Sequence, residues 1–261
     1  MNLKRMGVMN VTPNSFSDGG EFFTTDSVSN RLNFLKQFDA IDIGAESTAP
    51  QNSAISWQSE WERWQMVLPH LKALTTTISV DSYHPETIFE LVKYWKDNSL
   101  RSKLIWNDVS GKFDESVRDY LKSGHDYIFC HNLAPSRDLT GKHMDYVALE
   151  IDLYEYFHHH CGSQIIFDPC LGFSKTFEQN WEILKCLGDI QNKLQHFRWL
   201  VGFSRKSFLR KKYGTENIEE LDHAHTLELK RVLKSMCGEV WIRTHRPELL
   251  DASNFVFMHR F

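Results

Sequence analysis

The chain has 261 residues, of which 41% are hydrophobic and 25% are charged, a composition typical of a folded α/β protein and unlike that of a disordered one. The net charge of −4 and the pI of about 6.3 give no bulk attraction to nucleic acid or to an anionic membrane. There is no apolar run of membrane-spanning length and no signal-peptide core near the start, so we expect a soluble, cytoplasmic protein without a nucleic-acid or membrane partner.

Short β-branched runs alternate with longer amphipathic runs along the whole chain. The predicted strands are 5–9, 40–44, 77–81, 104–108, 127–131, 164–168, 199–202 and 240–243. The predicted helices are 27–38, 56–74, 85–97, 115–123, 146–160, 178–194, 221–237 and 247–253. Eight strand–helix pairs without a linker-like segment predict one α/β domain over residues 1–261, a (β/α)8 TIM barrel.

Nearly every predicted strand ends in polar residues. Barrel strands are buried, so these side chains must face the open carboxyl-terminal rim, where enzymes of this fold build their active sites. Clustered carboxylates there need a donor-rich ligand, such as a planar ring with a guanidine-like edge, and an arginine and a histidine at alternate positions of the last strand suit an oxyanion such as phosphate. The rim residues are the acceptors Asp42, Glu46, Asp81, Asp108 and Asp168, the cationic donors Arg205, Lys206, Arg243 and His245, and the neutral groups Asn10, Thr48, Asn107 and Ser204.

Three other features have simpler interpretations. The basic run 204–212 lacks interleaved aromatic residues, so we do not interpret it as a nucleic-acid site. The run HHHC at 158–161 has no second ligand cluster to complete a zinc site and is interpreted as a solvated helix end. The five scattered cysteines form no C-x-x-C pair and are expected to be free thiols in a reducing compartment: Cys130, Cys161, Cys170, Cys186 and Cys237.

Seven motifs, in chain order, resemble those of the dihydropteroate synthase family and together cover essentially the whole chain. The motifs are MNVTPNSFSDGG (9–20), DIGAEST (42–48), ISVDSYHPE (78–86), IWNDVSG (105–111), FDPCLGFSK (167–175), LVGFSRKSFL (200–209) and IRTH (242–245). The resemblance implies a TIM-barrel transferase of folate synthesis. Such an enzyme joins p-aminobenzoate to 6-hydroxymethyl-7,8-dihydropterin pyrophosphate, forms 7,8-dihydropteroate and releases pyrophosphate. It also implies Mg²⁺ as cofactor and a homodimer.

The same resemblance implies that Asp81, Asn107 and Asp168 hold the pterin edge and that Lys206 lies against its ring. Pyrophosphate leaves the pterin methylene carbon and the arylamine attacks it, without a nucleophilic side chain. Such a reaction depends on electrostatic stabilisation of a cationic pterin and on positioning.

For the departing anion, the resemblance implies contacts from Asn10, which also binds Mg²⁺, and from Arg243 and His245. The polar loop 12–20 is expected to act as a lid that closes over both substrates and excludes water. The other expected substrate contacts are Phe16, Asp18, Thr48, Phe173, Ser204 and Arg205.

Two departures from the family pattern leave alternatives open. The family usually has an arginine where this chain has Ala49, and a glycine where it has Cys170. The absent loop arginine makes a catalytically impaired or non-catalytic pterin-binding relative of the same fold the alternative function. A pterin-dependent methyltransferase domain is disfavoured, because a methyl carrier does not need the long first loop or the SRKS motif.

Overall fold

The computed structural model describes residues 1–12, 25–46, 53–132, 162–194 and 197–250. The predicted helix 146–160 and the HHHC run lie outside these ranges, as do Ala49 and the lid residues 13–20. Of the predicted site residues, three also lie outside the described part of the chain: Phe16, Asp18 and Thr48.

Eight parallel strands hydrogen-bond in chain order and close into a barrel, which confirms the predicted fold. Each predicted strand overlaps an observed one. The ends differ by up to three residues, as in the first strand, because the ladder of hydrogen bonds to both neighbours decides where a strand ends. The strands are β1 Asn2–Asn10, β2 Ala40–Gly44, β3 Thr77–Asp81, β4 Leu104–Asp108, β5 Asp126–Cys130, β6 Ile165–Asp168, β7 Arg198–Val201 and β8 Glu239–Thr244.

Seven α-helices lie within the described ranges and pack around the barrel. They are α1 Thr25–Leu35, α2 Trp57–Leu71, α3 Pro85–Asp97, α4 Glu115–Leu121, α5 Phe177–Lys193, α6 Ser207–Tyr213 and α7 Ile218–Leu233. Several helices begin where the sequence supplies an N-cap. The α5 helix has a full capping box, in which the Thr176 hydroxyl accepts from the Gln179 amide and the Gln179 side chain accepts from the Thr176 amide.

Two helix predictions are corrected. The segment between β7 and β8 contains two helices where one was predicted. The additional helix, α6, has only seven residues, and the left-handed φ of 63° at Gly214 ends it before α7 begins. The predicted last helix is a short 3-10 turn, Pro247–Leu250, within the described residues. In the part of the chain that the structure describes, no helix is both long and apolar enough to cross a membrane.

The barrel interior has an apolar layer beneath a polar one. Residues two apart on a strand face the same side, so Asn107 follows Ile105 on the inner face of β4, and Asp168 follows Ile166 on that of β6. The apolar layer includes Met6, Ala40, Ile105, Ile128, Ile166, Leu200 and Trp241. It closes the barrel from below, which leaves the polar side chains at the carboxyl-terminal ends of the strands.

Candidate active site

Arg243 on β8 lies at the centre of the polar layer and bridges two carboxylates. Its Nε donates to Asp42 Oδ2 and its Nη2 to Asp81 Oδ2, each at 2.6 Å. Burial alone lowers the pKa of Arg243, but the two carboxylates outweigh it and hold the pKa above its ordinary value. The guanidinium therefore stays charged, and neither ion pair uses its Nη1 nitrogen. Gly202 makes room for this side chain, since a Cβ there would lie 3.2 Å from that of Arg243.

The fully buried Asp42 carboxylate is saturated by protein donors. Besides Arg243, its Oδ1 accepts from the Ser79 hydroxyl at 2.6 Å and from Asn107 Nδ2 at 3.1 Å. Sequence reasoning missed Ser79, although its position two residues before Asp81 places both on the inner face of β3. Asp42 therefore acts as the anchor of the layer, orienting Arg243 and Asn107.

Two buried acceptor atoms in this layer have no hydrogen-bond partner among the described residues: Asp81 Oδ1 and Asn107 Oδ1. Buried polar atoms are nearly always paired, and each unpaired one costs about 1–3 kcal/mol. Burial also raises the pKa of Asp81 to about 7, against the opposing effect of Arg243. These two oxygens are thus set to accept N–H groups from a ligand.

Asp168 lies at the end of β6, with one oxygen used by the loop that follows. Its Oδ1 accepts from the Cys170 amide at 2.8 Å, and burial raises its pKa. Cys170 has a left-handed φ of 54°, a conformation that disfavours any side chain, which explains why a glycine is expected at this place. Both Cys170 and the neighbouring Cys130 are free, buried thiols, as expected for packing residues.

Lys206 stands over the aromatic ring of Phe173, with Nζ 3.8 Å from the ring centroid. Burial, and then repulsion by Arg243, lower the pKa of Lys206 to about 8. Gly172 permits this approach, because its φ is 85° and a Cβ there would meet Lys206 Cδ at 2.9 Å. The contact joins the loops after β6 and β7 on one side of the carboxylates.

Lys175 is a residue that the sequence prediction left out. Its buried Nζ donates to the carbonyl oxygens of His131, Cys170 and Phe173, at 2.7, 3.3 and 3.2 Å. It therefore ties the loop that carries Phe173 to the end of β5. The motif FDPCLGFSK contains it, but nothing in the sequence distinguishes a lysine directed at carbonyls from one at the surface.

The structure disfavours a charged His245 in the ligand-free site, in contrast to the expectation of a cation there. Burial, with Arg205 and Arg243 nearby, lowers its pKa well below the ordinary value. Its Nδ1 lies 3.0 Å from the Ser204 hydroxyl, so Ser204 and His245 form a pair on the side of the site formed by β7 and β8.

Three other expected rim residues are engaged elsewhere. Arg205 forms a two-pronged ion pair with Asp222 on α7, with distances of 3.0 and 2.9 Å. Asp108 accepts from the amide and hydroxyl of Ser110 at 2.8 Å each. Glu46 Oε1 accepts from the Ile55 amide at 3.0 Å and from the Tyr83 hydroxyl at 2.9 Å, so this oxygen is already engaged by the protein.

Asn10 ends β1 as an exposed residue in register with Gly44. In the described ranges, no group of three or more His, Cys, Asp and Glu residues is arranged to hold a metal ion. Mg²⁺ commonly binds through one or two protein oxygens, with substrate phosphates and water as its other ligands. The amide oxygen of Asn10 fits that mode of binding, in which the phosphate substrate brings most of the ligands.

Family and sequence comparisons both relate this chain to pterin-binding enzymes. The family described as "Pterin binding enzyme" matches residues 6–237. A curated dihydropteroate synthase from Synechocystis is 34% identical over 223 residues, which cover 79% of this chain and 73% of the relative. The chain spans about half of the plant bifunctional folate synthesis proteins that it also matches, for example 49% of one from Arabidopsis thaliana at 32% identity.

Solved structures of dihydropteroate synthases are also similar to this chain. Dihydropteroate synthase from Clostridium difficile, determined in the presence of pteroic acid, is 26% identical and superposes with a TM-score of 0.79, covering 99% of this chain and 98% of that one. The enzyme from Anaplasma phagocytophilum, with bound 6-hydroxymethylpterin-monophosphate, gives a TM-score of 0.78 over 98% of this chain and 97% of its own. Its identity to this chain is 24%, so this second likeness concerns the fold.

Proposed function

This chain belongs to the pterin-binding enzyme family, and we infer that it catalyses the dihydropteroate synthase reaction at the rim of its barrel. It is a transferase of folate biosynthesis. Its substrates are 6-hydroxymethyl-7,8-dihydropterin pyrophosphate and p-aminobenzoate, and its products are 7,8-dihydropteroate and pyrophosphate.

The observation that carries this proposal is the pair of unpaired acceptors, Asp81 Oδ1 and Asn107 Oδ1, at the same end of the barrel as the buried carboxylate of Asp168. The edge of a pterin presents several N–H groups in one plane, and buried acceptors gain most from such donors. Lys206 then borders the ring from the side of Phe173.

In the proposed reaction, the bond between the methylene carbon and the pyrophosphate oxygen breaks, and the oxygen keeps the electron pair. The amine nitrogen of p-aminobenzoate bonds to the carbon and loses a proton. No side chain forms a covalent bond. Asp81 and Asp168 stabilise positive charge on the pterin, and Arg243 Nη1 and His245 face the developing anion, so the catalysis is electrostatic preorganisation.

Mg²⁺ belongs to this proposal as an ion that arrives with the pyrophosphate substrate. Asn10 would hold it through the side-chain oxygen, and the ion would supply positive charge to the leaving pyrophosphate. The lowered pKa of His245 supports a need for such charge, because burial disfavours the protonated ring in the ligand-free site.

A homodimer and a cytoplasmic location are further parts of the proposal. The second is supported by the cysteines of the described ranges, which are all free thiols, as is usual in a reducing compartment. Size-exclusion chromatography with light scattering of the purified chain tests the first.

The deciding experiment is pyrophosphate release by the purified chain, given Mg²⁺ and both substrates. Release that needs both substrates, and that falls by about 10² or more in Lys206→Ala, supports the enzyme. Pterin binding without release would identify the non-catalytic relative instead. The matched control is Lys122→Ala, which removes an exposed lysine at the end of α4 and should leave the rate unchanged.

A further inference from the structure

The turn between β7 and α6 has an unusual residue at its strained position. The amide of Lys206 donates to the carbonyl of Phe203 at 3.3 Å, which closes a four-residue turn with Arg205 as its third residue. Arg205 has a φ of 59°. Turns with a left-handed third residue strongly favour glycine or asparagine there, so an arginine needs a compensating interaction.

The compensating interaction is the ion pair with Asp222. Arg205 Nε donates to Oδ1 at 3.0 Å and Nη2 to Oδ2 at 2.9 Å, the parallel geometry of a two-pronged arginine–carboxylate pair. The Asp222 side chain is 2% exposed and that of Arg205 is 20% exposed. Arg246 Nη1 lies 4.0 Å from Asp222 Oδ2, so Arg205 is the closer partner.

The residues on either side of Arg205 both reach the site. Ser204 contacts His245 Nδ1 at 3.0 Å, and Lys206 lies 3.8 Å above the Phe173 ring. The directions of Ser204 and Lys206 depend on the backbone of the residue between them. An interaction that holds Arg205 in the left-handed region therefore sets both side chains.

We propose that Arg205 and Asp222 are a positioning pair for the transferase reaction: they hold the turn 203–206 so that Ser204 reaches His245 and Lys206 reaches the pterin side of the site. In this proposal neither residue contacts substrate, whereas the family resemblance implies that Arg205 binds one. The inference rests on the proposed function, since the residues it positions are those of that reaction.

A double-mutant cycle separates positioning from substrate binding. We expect Arg205→Ala and Asp222→Asn each to lower kcat by about 10²-fold, the size of effect that a small displacement of catalytic groups produces. Because both variants break one interaction, the double variant should be no worse than either single one, whereas independent roles would multiply to about 10⁴-fold. If Arg205 bound an anionic substrate, Arg205→Ala would raise the KM of that substrate and Asp222→Asn would not.

Arg205→Gly is the matched rescue variant, because glycine adopts the left-handed conformation without strain. We expect it to recover kcat to within about 10-fold of the wild type, well above Arg205→Ala. Glu216→Gln is the control, since it removes another arginine–carboxylate pair, with Arg210, at the exposed end of α6. It should leave kcat unchanged.

A measurement on the ligand-free chain is independent of turnover. NMR titration of the Lys206 side chain should give a pKa of about 8 in the wild type, rising towards that of an exposed lysine in Asp222→Asn and in Arg205→Ala. An unchanged Lys206 pKa in both variants overturns the inference, even if the wild type is active. If the wild type releases no pyrophosphate, the proposed function fails, while the titration still decides whether the pair positions Lys206.

Discussion

Burial moves the pKa values of Asp81 and Lys206 towards each other, to about 7 and about 8. For the carboxyl group of Asp81, loss of hydration disfavours the charged form and outweighs the attraction of Arg243. For Lys206, loss of hydration and the charge of Arg243 act in the same direction. The ionised forms of Asp81 and Lys206 therefore coexist to the greatest extent in a narrow interval near neutral pH.

This interval predicts a bell-shaped pH profile of kcat/KM for the pterin pyrophosphate. Below about pH 7 Asp81 takes up a proton and loses its charge, and above about pH 8 Lys206 loses its proton. Because kcat/KM reports the pKa values of the free enzyme, its two limbs should lie near these values.

Lys206→Arg provides the check on that assignment. A guanidinium does not lose its proton in this range, so the alkaline limb should disappear even if the maximal rate falls. An alkaline limb that stays near pH 8 in this variant would contradict the assignment to Lys206.

Asp168 predicts a separation of activity from stability. In Asp168→Asn the side-chain oxygen can still accept a hydrogen bond from the Cys170 backbone amide, which lies 2.8 Å from Asp168 Oδ1 in the wild type. The negative charge that would stabilise the pterin cation is lost. We expect pyrophosphate release to fall by about 10²–10³-fold. Burial raises the pKa of Asp168, so the ionised group reduces folding stability above its unfolded pKa, and removing the charge should leave Tm unchanged or higher at pH 7. A large fall in Tm would show that Asp168 is structural.

At the scale of elements, the loop from β6 to α5 shows how a connection is made rigid enough for a site. It leaves β6 through the left-handed Cys170 and Gly172, and it enters α5 through the capping box of Thr176. Between these points Lys175 binds three carbonyl groups from inside the fold. The position of Phe173 is thus set by backbone contacts of its own loop.

Lys175→Met tests this arrangement. Methionine has a similar length but donates no hydrogen bond, so the carbonyls of His131, Cys170 and Phe173 lose a charged donor. We expect the free energy of unfolding to fall by about 1–3 kcal/mol and the KM values of the substrates to rise. Urea denaturation and steady-state kinetics measure the two effects, and Lys122→Met at the exposed end of α4 is the control. Unchanged KM values would show that the loop does not depend on Lys175.

At the scale of the whole molecule, the two ends of the barrel have different roles. The carboxyl-terminal end holds the unpaired acceptors Asp81 Oδ1 and Asn107 Oδ1, whereas the amino-terminal end holds ion pairs between side chains of nearby strands and loops. There, at the start of β5, Asp126 pairs with Lys103 at 2.8 Å and with Arg198 at 2.7 Å. In this fold such features at the amino-terminal end serve stability.

Asp126→Asn should therefore affect stability alone. The Asp126 side chain is 3% exposed, and its loss of charge leaves two cations without their shared partner. We expect a fall of about 2–4 kcal/mol in the free energy of unfolding, with kcat unchanged for the folded enzyme. Thermal unfolding and pyrophosphate release on the same preparation measure this, and a loss of kcat at an unchanged folded fraction would contradict it. Asp126→Asn should thus lower stability and leave kcat unchanged, whereas Asp168→Asn should lower activity and leave Tm unchanged or higher.

The sequence by itself determined the barrel, its strands and the family. Alternating runs specify buried strands and covering helices, and the polar residues at strand ends specify the rim, because both follow from local periodicity. Asp81, Asn107 and Asp168 could be placed at the site in this way, since each ends a strand or precedes its end by one residue.

Only the tertiary structure decided which rim residues remain available to a ligand and which are engaged by the protein. Arg205 and Lys206 are neighbours in sequence, yet one pairs with α7 and the other lies over Phe173. The charge of His245 likewise depends on burial and on Arg205 and Arg243, which come from different elements. Such outcomes depend on distances between segments far apart in the chain, and no local pattern encodes them.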